Sequence, residues 1–224
     1  MPDLRLHWEA ITPACRAALD VLRDQSFIRK FYLAGGTALA LQLGHRISKD
    51  LDWFSSSAQL KKAERDKIRR ILERTGTFVV TGEQDTMLFT QLMEAEVSFI
   101  YQHHPLIQPT VDLGGLALAS PTDIGLMKLA AIKDRGTRRD FIDLYCLRQV
   151  ITLEQLIDLT EIKYMDRPDF SLILARALAY FEDAEQQPMP NMLKRVRWAD
   201  VKRYAQEGAK YIVRQQRKKA QSSP

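Results

Sequence analysis

The chain has 224 residues, 46% of them hydrophobic and 27% charged, the balance of a folded globular protein rather than a disordered or fibrous one. Its two cysteines, Cys15 and Cys146, show no Cys-x-x-Cys or Cys/His ligand spacing, which argues against a disulfide framework or a zinc site and fits a reducing cytoplasm. A formal charge of +5, no apolar run of membrane-spanning length and no apolar leader in MPDLRLHWEA set the expectation of a cytoplasmic protein with a polyanionic partner and no membrane.

In chain order, residues 12–30 predict a helix, with Ala17, Leu19, Val21, Leu22 and Ile28 as its apolar contributors. FYLAGG predicts a short strand running into a turn, Thr37 to Leu43 a brief helix, and LDWFS a second strand. Ala58 to Arg74 places Leu60, Ala63, Ile68, Ile71 and Leu72 at near-helical spacing, a helix covering one face of a sheet. TFVVTG, MLFTQL and AEVSFIY then predict three strands in an antiparallel meander. From Ser120-Pro121, an N-cap followed by Pro at the first helical position, the pattern is helical to the end. This change of texture divides the chain into an α/β part, residues 1–120, and an all-α part, residues 121–224. Near the end, ten Lys or Arg between Lys194 and Lys219 face two acids, Asp200 and Glu207, which suits either a phosphate backbone or a solvated helix face.

The stretch GGTALALQLGHRISKDLDWF, residues 35–54, carries the clearest chemistry. Gly35 and Gly36 allow close backbone approach, and a helix starting near Thr37 would point its free N–H groups at an anion. Asp50 and Asp52, two apart on a strand, project from the same face and set two carboxylates side by side. Hard oxygen ligands of this kind suit Mg²⁺ (or Mn²⁺), which shares its sphere with substrate phosphates. The competing reading is an amphipathic strand with Leu51 and Trp53 inward and the acids in water. Phe54 falls on the same face as the aspartates, which argues against mere solvent exposure.

A second constellation lies in MKLAAIKDRGTRRDFIDLY, residues 127–145. On helices, Lys128 and Arg135, seven apart, share a face, and Asp140 and Asp143, three apart, share another. Lys128 could hold a triphosphate, with Arg135 and Arg139 neutralising charge. The same residues also suit a helix-to-helix salt-bridge clamp.

Gly35-Gly36-Thr37, His45-Arg46-x-Ser48-x-Asp50-Leu51-Asp52 and the aromatic that follows resemble the nucleotidyltransferase toxins of the AbiEii/AbiGii type, found in type IV toxin–antitoxin and abortive-infection systems. Residues 127–145 are similar to the family's Lys-x-x-Ala…Arg…Lys/Arg-Asp-x-x-Asp-Leu signature, and the likeness runs from Phe31 to about Lys202. The resemblance implies an α+β fold: a polymerase-β-like nucleotidyltransferase core, with a mixed sheet flanked by helices, followed by an all-α part. It implies Mg-dependent transfer of a nucleotide from an NTP to an RNA, such as tRNA, or to a protein acceptor, and a cognate antitoxin. Carried over residue by residue, it places Asp50 and Asp52 at the metal, Gly35, Gly36, Thr37, Lys128 and Arg135 at the nucleotide, and Lys128 and Asp140 among the functional residues. One departure stands out. Family members often read Val-x-Val-Asp-Phe-Leu on the neighbouring strand, where a third carboxylate completes the site. Here Ala95-Glu96-Val97-Ser98-Phe99-Ile100 puts Ser98 in that place. Glu96, on the same strand face, is the expected substitute, with Glu94 a weaker one. Loss of the aspartate keeps open a second reading, a catalytically impaired nucleotide- or RNA-binding module of the same fold.

Overall fold

The computed structural model describes residues 6–222. The first five residues, which open the stretch read for a leader, and residues 223–224 of the helical tail lie outside the described residues. The chain divides into two compact units, Met1–Ser120 and Pro121–Pro224.

In the N-terminal unit, α1 (Pro13–Arg23) starts where the Thr12 hydroxyl accepts a hydrogen bond from Cys15 N–H at 3.2 Å, with Pro13 at the first helical position. The expected helix over 12–30 ends early. Gln25 is extended and its side-chain amide donates to the Val21 carbonyl at 3.1 Å; a short 3₁₀ turn, Ser26–Lys30, follows. The reason is tertiary, because the turn brings Phe27 and Phe31 against Phe99, with ring centroids 5.7 and 5.4 Å away. The elements β1 (Tyr32–Ala34), α2 (Gly35–Leu43) and β2 (Asp50–Ser55) come next.

The helix expected from Ala58 is α3, Lys62–Leu72, and it begins later than the apolar spacing suggests. Leu60 is buried in the left-handed region at φ 54, outside the helix. Its carbonyl accepts from Arg65 Nη1 at 2.6 Å, and Arg65 Nε donates to Glu83 at 2.6 Å. This guanidinium ties the approach to α3 to β3 (Phe78–Gln84). The remaining strands are β4 (Met87–Leu92), β5 (Ala95–Tyr101) and two short ones, β6 (Val111–Asp112) and β7 (Ala117–Leu118).

These strands form one seven-stranded sheet in the order β3-β4-β5-β2-β1-β7-β6. The meander β3-β4-β5 is antiparallel as expected, and β5 then lies parallel to β2. β2 runs antiparallel to β1, which pairs with β7 in parallel. The sheet is therefore mixed, as the fold reading requires. The periodicity of β2 is strict: Leu51, Trp53 and Ser55 are buried, while Asp50, Asp52 and Phe54 are half-buried on the other face. On β5, Val97 and Phe99 continue the buried row, and Glu96, Ser98 and Ile100 the open one.

The C-terminal unit is helical: α4 (Pro121–Asp134), α5 (Arg138–Leu147), α6 (Leu153–Lys163), α7 (Phe170–Ala177), α8 (Glu182–Glu185) and α9 (Trp198–Ser222). Two glycines let α6 pack closely. A Cβ on Gly125 of α4 would meet Leu156 at 2.8 Å, and one on Gly208 of α9 would meet Leu153 at 2.5 Å. An ion pair between Lys163 and Asp123, at 2.9 Å with side chains 1% and 0% exposed, joins α6 to the first turn of α4. Removing one member of a buried pair strands the other charge. Lys163→Met should therefore cost about 3–5 kcal/mol, whereas Asp123→Leu with Lys163→Met should recover most of that loss. Urea titrations of the two variants and the parent, followed by far-UV circular dichroism, measure the difference.

Candidate active site

The carboxylates sit on the open face of the sheet. Asp50 stands beside Glu96 and Asp52 beside Ser98 in the parallel β2–β5 register, with Ala34 of β1 on the other flank of Asp52. The row continues onto β4, where Gln91 pairs with Glu96 and Phe89 with Ser98. Phe54, next along the same face, stacks on Tyr32 with ring centroids 6.1 Å apart. The face is thus a carboxylate row bordered by aromatic rings. Glu94 is not part of it, lying at φ 68 in the turn between β4 and β5.

The turn from β1 into α2 holds this row in place. The helix begins at Gly35, two residues before the expected start near Thr37. Gly35 has φ 64, a left-handed conformation that disfavours a side chain, and a Cβ there would lie 2.6 Å from Asp52 Oδ2. At Gly36 the space of the missing Cβ is taken by the Arg46 guanidinium, with Ser48 Oγ 3.3 Å away. Arg46 is buried and donates to the Ile47 carbonyl at 3.2 Å and to Ser48 Oγ at 3.3 Å. The Thr37 hydroxyl, itself buried, donates to the backbone carbonyl of Asp50. The glycines thus make room for side chains of the 46–52 segment, and Thr37 fastens the helix to β2. Sequence reasoning gave Arg46 no role; its signal was its place in the spaced run His45-Arg46-x-Ser48-x-Asp50.

Among the described residues no group of three or more His, Cys, Asp or Glu side chains is arranged to hold a metal. What the fold supplies is a pair, Asp50 and Asp52. Two half-buried carboxylates on one strand face, one of them packed into the space a Cβ would fill at Gly35, form a donor set suited to a hard cation that takes its remaining oxygens from phosphate and water.

The second constellation lies within the C-terminal unit. Lys128, on α4, is buried and contacts Asp140 at 2.8 Å and Asp143 at 2.6 Å, both on α5. Thr137, the N-cap of α5, donates its hydroxyl to the other oxygen of Asp140 at 2.6 Å. Arg135 stands farther off, 3.8 Å from Asp140, with its side chain 71% exposed. The signature therefore builds the helix-to-helix clamp, and Arg135 is its solvent-facing cation. Thr137 was missed by sequence reasoning, although a Thr three residues before an Asp is an N-cap pattern. Burial alone would raise the Asp140 pKa, but the charge and hydrogen bond of Lys128, the Thr137 hydroxyl and the Arg135 charge together hold it below the ordinary carboxylate value.

Residues 17–211 match the model of the family described as nucleotidyl transferase AbiEii toxin, type IV TA system. The chain belongs to this family. A relative in Aquifex aeolicus (strain VF5), the uncharacterized protein aq_aa25, is 35% identical over 178 residues, covering 77% of this chain and 84% of that protein. Among solved structures, JHP933 from Helicobacter pylori is similar at TM-score 0.53 and 18% identity, covering 93% of each chain. ANT(2")-Ia in complex with adenylyl-2"-tobramycin is similar at TM-score 0.53 and 13% identity, over 69% of this chain and 99% of that one. At these identities the two structures speak to fold alone. No helix among the described residues is long and apolar enough to cross a membrane.

The clamp has a pH signature. A carboxyl whose folded pKa is depressed adds stability that is complete above its unfolded value, about 3.9, and is lost as pH falls through the folded value. Melting temperature should therefore drop as pH is lowered from 5 towards 2, and Asp140→Asn should flatten that slope. An unchanged slope in the variant would remove Asp140 from the acid response.

Proposed function

We propose that this family member is a divalent-metal-dependent nucleotidyltransferase that moves a nucleoside monophosphate from an NTP to an RNA hydroxyl. The observation that carries the reading is the pairing of Asp50 and Asp52 on the open face of β2, with Asp52 seated against Gly35 at the start of α2. Mg²⁺ or Mn²⁺ would be held by Asp50 and Asp52 and would supply charge stabilisation for the triphosphate and the developing alkoxide. In the transfer, the acceptor oxygen bonds to the α-phosphorus as the bond to the bridging oxygen breaks, and pyrophosphate leaves. The acceptor proton passes to a carboxylate of the row. Glu96, in register with Asp50 and exposed on the same face, is the group we assign to that task. Gly35 and Gly36 are assigned to phosphate through their backbone amides alone, since Asp52 and Arg46 take the space of the missing Cβ atoms, while Thr37 steadies the turn. Arg135 and Arg139, both exposed, are the cations of the second signature that we assign to phosphate, while Lys128 with Asp140 braces α4 against α5.

RNA as acceptor is supported by the start of α9. There a polar pocket of about 340 Å³ is lined by Tyr145, Arg195, Arg197 and Asp200; Asp200 holds Arg197 at 2.7 and 3.1 Å, so Arg195 is the guanidinium that we assign to phosphate there, beside the Tyr145 side chain. Membership of a type IV toxin–antitoxin family implies an antitoxin partner. A second reading, a binding module without turnover, is favoured by Ser98, which stands beside Asp52 where a third carboxylate is expected. A serine hydroxyl does not take a proton at neutral pH unaided.

Labelled NTPs incubated with total RNA and Mg²⁺ decide between the readings. Asp50→Ala with Asp52→Ala should abolish incorporation while leaving the circular dichroism spectrum intact; equal labelling by the variant sinks the carboxylate assignment. A general base contributes ~10²- to 10⁴-fold, so Glu96→Gln should slow incorporation within that range and Ser98→Asp should raise it. A parent protein inactive with every NTP, switched on by Ser98→Asp, would establish the binding module as the natural state.

A further inference from the structure

One surface of the C-terminal unit has no part in the chemistry above. Between α7 and α9 lies a groove of about 650 Å³, within the size range of ligand-binding clefts. Its floor is aliphatic: Leu172, Ala175, Ala179 and Val213 line it. The two large ones are open to solvent, Leu172 at 54% and Val213 at 45% exposure. The groove exists because small residues meet where the helices face each other, Ala175 from α7 and Ala209 from α9.

Its rim has the opposite character. Arg176, Lys210, Arg214 and Arg217 line the groove, and no acidic residue does. The nearest compensation is Glu207, which holds Lys210 at 2.7 Å and reaches Arg214 at 3.7 Å. One carboxylate thus answers for two of four cations, and the rim keeps a net positive charge.

We infer that this groove docks an amphipathic helix of a protein partner, its apolar face on Leu172 and Val213 and its flanking Asp or Glu residues on the arginine rim. Helix-in-groove recognition needs an apolar trough that takes side chains at i, i+3, i+4 and i+7, with complementary charge on either side. The groove offers both. Nucleic acid is served less well, since no aromatic side chain lines the floor and a strand would gain only phosphate contacts from the rim. The rim charges set partner choice and association rate, and the floor supplies the buried contact area.

The probe is a fluorescein-labelled 18-residue peptide with Leu at i, i+3, i+4 and i+7 and Glu on the flanks, titrated with the full chain at 150 mM salt and read by anisotropy. Controls are a scrambled peptide of identical composition, a Lys-flanked version, a 20-nucleotide single-stranded RNA and phosphatidylserine vesicles. The amphipathic Glu peptide should bind at least about tenfold more tightly than its scramble, a difference of about 1.4 kcal/mol. Val213→Glu should weaken it at least about tenfold, and Arg176→Glu with Arg217→Glu should transfer preference to the Lys-flanked peptide. All three substituted side chains lie on the surface, so melting temperatures near the parent's accompany these results. Equal affinity for the scramble, or indifference to Val213→Glu, overturns the inference. So does Val213-dependent binding of the RNA or the vesicles with the peptide ignored. No NTP enters the assay and no transfer is read, so its failure leaves the transferase reading standing.

Discussion

Everything proposed for the N-terminal unit depends on one close approach: the backbone of Gly35 and Gly36 against side chains arriving from β2 and the segment before it. Gly35 turns the chain from β1 directly into α2 at φ 64, and Asp52 Oδ2 lies 2.6 Å from where a Cβ would be. Any other residue would meet both a disfavoured backbone and an occupied space. The same turn receives the buried Arg46 guanidinium at Gly36. Thr37 closes the arrangement by donating to the Asp50 carbonyl, so helix, strand and carboxylates are placed together.

The C-terminal unit solves a related problem by charge rather than by space. Lys128 gathers two carboxylates from α5, and Lys163 takes Asp123 from the start of its own partner helix. Buried pairs of this kind contribute little beyond their desolvation cost, yet breaking one is expensive, so they fix which helices pair more than how tightly they pack. Close packing comes from the glycines, with Gly125 and Gly208 bringing α6 against α4 and α9. Arg135 is left on the surface by this construction, whereas Lys128 is buried.

Much of this was legible in the sequence, and the parts that were not have physical causes. The spacing of Asp50 and Asp52 placed both on one face of β2, and β-rich runs announced the β3-β4-β5 meander. The mixed sheet and the helical C-terminal part followed from pattern and resemblance together. The break after α1 was invisible because it answers to Phe99, distant in sequence. The late start of α3 was hidden by Leu60, an apolar residue at helical spacing that the structure holds at φ 54. β6 and β7, two residues each, are too short to carry a period. At the site, Asp50 and Asp52 could be placed on one face, but the use of the glycines could not. A Gly-Gly-Thr turn reads as a seat for a ligand, and only the fold reveals that Asp52 and Arg46 fill the space the glycines leave.

The most direct test of this account is Mn²⁺ binding by Gly35→Ala, with NTP present and free Mn²⁺ read by electron paramagnetic resonance. Gly115→Ala is the matched control, since Gly115 is also left-handed, at φ 88, with nothing within 4 Å of its Cβ position. If the close approach of Asp52 to Gly35 sets the carboxylate pair, Gly35→Ala weakens Mn²⁺ binding by at least about tenfold, about 1.4 kcal/mol, while Gly115→Ala binds as the parent does. Parent-like Mn²⁺ affinity in a folded Gly35→Ala protein would contradict the account.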